Sequence, residues 1–157
     1  MWNPMQTQYF VKEEKTMTVN MPIRLETAAD AVRYMLGGRA IVTITSNNTN
    51  KHFTYKITVA NNNHQRYFVW VRTKNGYQFM LTLDYNGRRI RYSRKGMPRD
   101  YFLVKAFKWA WGHLFNNSMP IAMSIYRYNI CCRCGRKLTE PKSIKAGVGP
   151  ECAKHFM

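Results

Sequence analysis

The sequence predicts an α+β fold: an antiparallel β-sheet of about five to six strands, one long and one short helix, and a small C-terminal module. Three observations carry this. Several runs alternate apolar and polar residues between Asn-Gly or Asn-rich turns, two stretches repeat apolar residues at helical spacing, and all four cysteines fall between positions 131 and 152 of the 157. Aromatic residues, at 14%, suit sheet surfaces. The expected division is a loosely ordered arm over 1–22, a sheet domain over 23–128 and the cysteine module over 129–157.

Residues 1–22 show no clear period. Thr27 followed by Ala-Ala-Asp is a capping-box-like helix start with Asp30 at the third helical position, and Ala28, Val32, Met35 and Leu36 form its stripe. Gly37 and Gly38 end this short helix, 28–36, because glycine tolerates a left-handed backbone. Strands follow at 39–46 and 52–59, the second with Phe53, Tyr55, Ile57 and Val59 on one face. Asn75-Gly76 and Asn86-Gly87 read as two-residue turns joining strands at 67–74, 77–85 and 88–94. That register sets Trp70 opposite Leu81, Phe68 opposite Leu83 and Leu83 opposite Ile90. Phe68, Trp70, Phe79, Leu81, Leu83, Ile90 and Tyr92 are then expected to form a core face. The opposite face, with Val69, Val71, Met80, Thr82, Asp84, Arg89 and Arg91, is mixed and turns basic. Pro98 opens the long helix, 99–115, whose buried stripe is Leu103, Phe107, Ala110, Trp111 and Leu114, with Trp109 also expected in the core. A last strand, 121–128, turns Ile121, Met123 and Ile125 inward.

The cysteine module has a readable chemistry. Cys131 and Cys134 stand at C-x2-C spacing, which lets a tight turn bring two thiolates to one metal, and Gly135 lets the backbone fold beneath them. Gly149-Pro150 is a helix start that sets Cys152 and His155 on one side of a first turn. Two ligands from a knuckle and two from a helix complete a tetrahedron around Zn2+, in a treble-clef-like arrangement. Cysteines clustered this way in a chain with no visible secretion signal favour metal over disulfides. Cys132 is surplus and is expected not to bind. The fourth ligand is His155 or a water. The site reads as structural, since only Glu140 and Glu151 are near enough in sequence to act as a base.

The segment 131–152 reads C-x2-C-G-R-x-L-T-x-P-x-S-I-x-x-G-x-G-P-x-C. It resembles an uncharacterised zinc-ribbon-like family of unknown function common in bacteriophage and actinobacterial proteins. More loosely, the Gly38-Arg39-Ala40-x-x-Thr43 strand and the strand at 52–57 are similar to phage proteins that place a small β-rich domain before such a module. The resemblance implies a phage or phage-derived zinc protein, and implies no activity.

Charge points to the partner. Twenty-five Lys and Arg against eight Asp and Glu give +17. Residues 1–30 hold Lys12, Lys15 and Arg24 against Glu13, Glu14, Glu26 and Asp30, so the whole excess lies beyond them. A domain this basic attracts polyanions. Arg88, Arg89, Arg91, Arg94, Lys95 and Arg99, followed by Lys105 and Lys108, form the densest run and are the candidate binding residues for DNA or RNA, or for a host nucleic-acid-processing complex. Tyr77, Tyr85, Tyr92 and Tyr101 lie near it as stacking candidates. The alternative is a phage-encoded inhibitor, a counter-defence or host-takeover factor, that docks on a host enzyme or protein–RNA complex. An enzyme is not expected: Asp84, Asp100, Glu140 and Glu151 form no metal-nuclease signature, and no P-loop, dinucleotide fingerprint or nucleophile elbow is present. With no apolar leader and no spanning run, a cytoplasmic protein is expected, in the host cytoplasm if phage-encoded, with no membrane partner.

Overall fold

The computed structural model describes residues 22–155. Its elements run β1 (Ile23–Arg24), α1 (Ala28–Met35), β2 (Arg39–Ser46), β3 (His52–Ala60), β4 (Asn63–Thr73), β5 (Gly76–Asp84), β6 (Arg89–Arg91), α2 (Phe102–Phe115), β7 (Met123–Arg127), α3 (Pro141–Ala146) and α4 (Pro150–Ala153). The strands make one antiparallel sheet in the order β1-β7-β2-β3-β4-β5-β6. β2 to β6 form a meander. After α2 the chain returns to lay β7 along the free side of β2, and β1 pairs outside it. The sheet is antiparallel as expected, but it has seven strands rather than five to six, because two-residue β1 is too short to show alternation. The expected arm, apart from Pro22, falls outside the described residues. No described helix is long and apolar enough to cross a membrane.

α1 forms where its signal stands, α2 starts late, and α3 (Pro141–Ala146) is a helix the sequence reading did not expect. Thr27 caps α1, its hydroxyl accepting from the Asp30 N–H at 3.1 Å. α2 begins at Phe102 rather than 99, because Pro98 closes a turn first, with the Tyr101 N–H donating to its carbonyl at 3.0 Å. Leu103, Val104, Phe107, Ala110, Trp111 and Leu114 are its buried side. Trp111 seats that side against the β5–β6 loop, donating Nε1–H to the Gly87 carbonyl at 2.8 Å. Gly87 has φ +94°, and a Cβ there would lie 2.6 Å from the Trp111 ring, so a side chain is excluded twice over. Trp109, expected in the core, is 49% exposed on the other side of α2. β7 starts two residues late, and Ile121, expected to turn inward, is 95% exposed.

Both helices lie on one face of the sheet. Tyr55 packs edge-on against Phe107 with centroids 5.1 Å apart, and Phe53 meets Phe102 at 6.1 Å. Ala40, Val42, Ile57, Val69, Val71, Leu81, Leu83, Met123 and Ile125 join Ala31, Met35, Val104 and Phe107 in a single core. Fully burying a side chain of this size contributes about 1.5–3 kcal/mol.

The expected core face of β4–β5 is corrected by the structure. Asn75-Gly76 is not the two-residue loop. Thr73 pairs with Gly76, so Lys74-Asn75 form the turn and Gly76 follows with φ +99°. Further along, the register shifts at a bulge: Trp70 pairs with Phe79 but Val69 pairs with Leu81, which leaves Met80 as an extra residue. One extra residue reverses the alternation. Leu81 and Leu83 therefore face the helices beside Val69, while Phe79 turns to the other face with Phe68 and Trp70. The bulge is pinned from outside. The Met97 N–H donates to the Met80 carbonyl at 3.0 Å, and Gly96 lies so close that a Cβ would sit 2.4 Å from that oxygen. The second turn keeps the expected register, Leu83 opposite Ile90, although β6 covers only Arg89–Arg91 of the expected 88–94.

Candidate metal centre and basic surface

The C-x2-C segment folds as a knuckle. The Cys131 N–H donates to the Arg136 carbonyl at 2.8 Å, the Gly135 N–H donates to the Cys131 carbonyl at 2.9 Å, and Ile130 bridges Lys137. Gly135 takes φ +78°, which completes the turn under the sulfurs. α3 follows with Pro141 in its first turn, and Gly147 ends it in the left-handed conformation at φ +76°. Gly149 then caps α4, which carries Cys152.

These pieces bring three thiols together. The sulfurs of Cys131, Cys134 and Cys152 all lie within 4.8 Å of one another and could hold a metal ion. A tetrahedral ion bonded to sulfur at about 2.3 Å needs its sulfurs roughly 3.8 Å apart, which this spacing accommodates. Burial pushes the Cys131 thiol up, but the N–H groups of Gly149, Cys134 and Arg133 aimed at its sulfur outweigh that and bring its pKa down from 9.0 to about 7. The Gly149 N–H is 3.4 Å away. Burial, then the neighbouring Cys134 and Cys131 thiols, raise the Cys152 pKa. His155 is exposed just beyond α4, its N–H bonded to the Cys152 carbonyl at 3.0 Å, and its ring lies outside the group of three.

Cys132 points the other way. It is 4% exposed and belongs to the hydrophobic core. A Cβ on Gly37 would lie 2.5 Å from its sulfur, so the close approach of α1 requires that glycine. Burial, then the nearby Cys131 charge, push its thiol up to about 12. Its backbone joins the module to the sheet: its carbonyl accepts from the Arg39 N–H at 2.7 Å, and its N–H donates to the Gly147 carbonyl at 3.0 Å.

Two braces escaped the sequence reading. Arg127 is 4% exposed, stacks 5.5 Å over the Tyr34 ring and donates to the carbonyls of Ile144 at 2.7 Å and Lys145 at 3.2 Å. A buried guanidinium thus caps α3 and ties it to β7. Tyr34 itself donates to the Ile130 carbonyl at 2.8 Å. The signal for Arg127 was available, since it continues the inward positions of Met123 and Ile125 and so is a charge where an apolar residue is due.

The basic residues singled out from the sequence are all exposed, but they do not share one surface. Arg91 pairs with Thr82, and Arg89 with Asp84, on the sheet face away from the helices. Arg94, Lys95 and Arg99 lie on the connection to α2, with Arg99 4.7 Å over the Tyr92 ring. Arg88 sits in the β5–β6 loop, and Lys105 and Lys108 lie on the outer side of α2, across the sheet from Arg91. Asp84 takes two of the cations near the edge: Arg66 Nε is 2.7 Å from one oxygen and Arg91 Nε 2.9 Å from the other.

No curated protein and no solved structure matches the chain. A family of unknown function, DUF6011, matches residues 124–156, the stretch from β7 through the three clustered thiols.

Proposed function

We propose that this chain is a non-enzymatic, phage-type protein that binds nucleic acid, or a complex containing it, with its C-terminal module held by one structural Zn2+. Charge carries the reading. Of Arg88, Arg89, Arg91, Arg94, Lys95, Arg99, Lys105 and Lys108, Arg91 is the one with an ion-pair partner among the described residues. Unpaired exposed cations are what a phosphate backbone neutralises, with release of its counterions. Zinc fits the donor set, since three thiols select a thiophilic ion and His155 or a water can close the tetrahedron.

The test is a titration of labelled DNA and RNA oligonucleotides against salt. Arg88→Ala, Arg89→Ala and Lys95→Ala together should weaken every polymer alike, lower the slope of log affinity against log salt by up to about three, and change stability by under about 0.5 kcal/mol each. For the metal, elemental analysis should give one zinc per chain. Cys134→Ser should lose it and loosen the module, whereas Cys132→Ser should keep it. Equal metal loss in both variants would mean the wrong thiol has been assigned.

A second reading is supported by α2, where Phe102, whose ring also meets Phe53 of the sheet, and Trp109 are 59% and 49% exposed. An exposed apolar strip suits a protein partner, as a phage-encoded inhibitor would require. It becomes the better reading if the parent protein binds neither DNA nor RNA at physiological salt.

A further inference from the structure

The sheet face turned away from the helices has an unusual make-up. Phe68, Trp70, Tyr77 and Phe79 cluster on adjacent strands there, partly exposed, and none of them packs against the hydrophobic core. Phe79 sits between Phe68 and Trp70, with centroids 6.0 and 5.4 Å away and both contacts edge-to-face. The Trp70 ring is fixed by its Nε1–H, which donates to the Thr58 hydroxyl at 3.2 Å. Cations lie among the rings: Lys56 Nζ is 5.5 Å from the Trp70 centroid and 4.8 Å from that of Tyr77, and Arg72 is 5.8 Å from Tyr77. Arg39 and Arg133 line a cleft at one end with Thr58 and Phe68.

Resting on the nucleic-acid reading, we infer that this face is a stacking platform for unpaired bases, so that the ligand is single-stranded nucleic acid. Rings held by neighbours present surfaces to which any base can stack, while the interleaved cations meet the phosphates. Spacing favours a single strand. Phe68 and Trp70, two residues apart on one face of a strand, are separated by roughly 7 Å. That is about twice the roughly 3.4 Å rise of one strand in a duplex. Successive bases reach successive rings only if the strand is stretched and its bases unstacked, which a duplex forbids.

The experiment compares the full chain binding to an oligothymidine, a duplex of equal length and a base-free deoxyribose-phosphate strand, at one salt concentration. The oligothymidine should bind at least about tenfold tighter than either comparator and should quench tryptophan fluorescence. Phe68→Ala with Trp70→Ala should lose about tenfold or more on the oligothymidine and nothing on the base-free strand. Phe102→Ala with Trp109→Ala, on the far side of the sheet, should change neither. Equal binding of all three polymers overturns the platform and leaves the basic surface as the whole explanation. Absence of binding to any of them overturns the nucleic-acid reading itself. If the double variant does not fold, the base-free strand still decides, because it needs no substitution.

Discussion

The two faces of the sheet are made from the same strands and differ in kind. The face under α1 and α2 is closed by aliphatic residues and the rings of Tyr55 and Phe107, with the buried guanidinium of Arg127 tied to carbonyls at its rim. The other face sets Phe68, Trp70, Tyr77 and Phe79 among Lys56, Arg66, Arg72, Arg89 and Arg91. Aromatic content alone therefore does not mark the interior. What separates the faces within β5 is the single extra residue Met80, which sends Leu81 inward and Phe79 outward.

The comparison breaks most sharply on paired truncations. Phe107 is fully buried, so Phe107→Ala should cost about 3–5 kcal/mol in urea unfolding. Phe68→Ala, on the open face, should cost under about 1.5 kcal/mol, because a partly exposed ring leaves no closed cavity behind. Similar losses at both positions would mean that the open face is packed as a second core.

A smaller effect tests the bulge. Gly96→Ala would drive a Cβ to 2.4 Å from the Met80 carbonyl oxygen, and that oxygen belongs to backbone that cannot step aside. The variant should lose about 1–3 kcal/mol as the loop lifts from β5. Because the Met97 N–H holds the same carbonyl, amide exchange at Met97 should speed up more than at Leu83, which pairs beyond the bulge. Unchanged exchange at Met97 would show that the loop does not pin the bulge.

The sequence made the sheet legible wherever alternation was unbroken. β2 and β3 stand within one residue of their expected bounds, and Thr27 caps α1 because N-capping is local chemistry. The helix ends, however, at Leu36 with φ −96° rather than in the left-handed glycine conformation expected, and Gly37 serves the close approach of Cys132 instead. It failed at 77–85 for a physical reason. A strict period of two cannot run across Phe79-Met80-Leu81, three consecutive apolar residues that no single-sided strand can bury. That run was the sign of a bulge, but the contact holding it comes from Gly96 and Met97, which no local pattern reveals. The cysteines were read better than the helix aromatics. Spacing decides which thiols a knuckle can gather, so Cys131 and Cys134 were separable from Cys132. Trp109 and Trp111, only two positions apart on one helix, point to different sides, and the expectation that both were core ignored that geometry.

The smallest effect falls on the acid that interrupts the open face. Asp84 holds Arg66 and Arg91 through its two oxygens, with its own side chain 11% exposed and theirs 32% and 44%. Because both guanidinium groups reach water, releasing them costs far less than unpairing a fully buried ion. Asp84→Asn should lower stability by about 1 kcal/mol, near the upper end for exposed pairs. It should have the opposite effect on binding. Two arginines become available to phosphates and one repelling charge disappears, so affinity for an oligothymidine should rise at low salt and the salt dependence should steepen. Urea midpoints and fluorescence anisotropy on the same preparation measure both. Stability and affinity moving in opposite directions would mark Asp84 as a structural tether that restrains the basic face. If both fell together, Asp84 would instead be holding Arg66 and Arg91 in the geometry that the ligand needs.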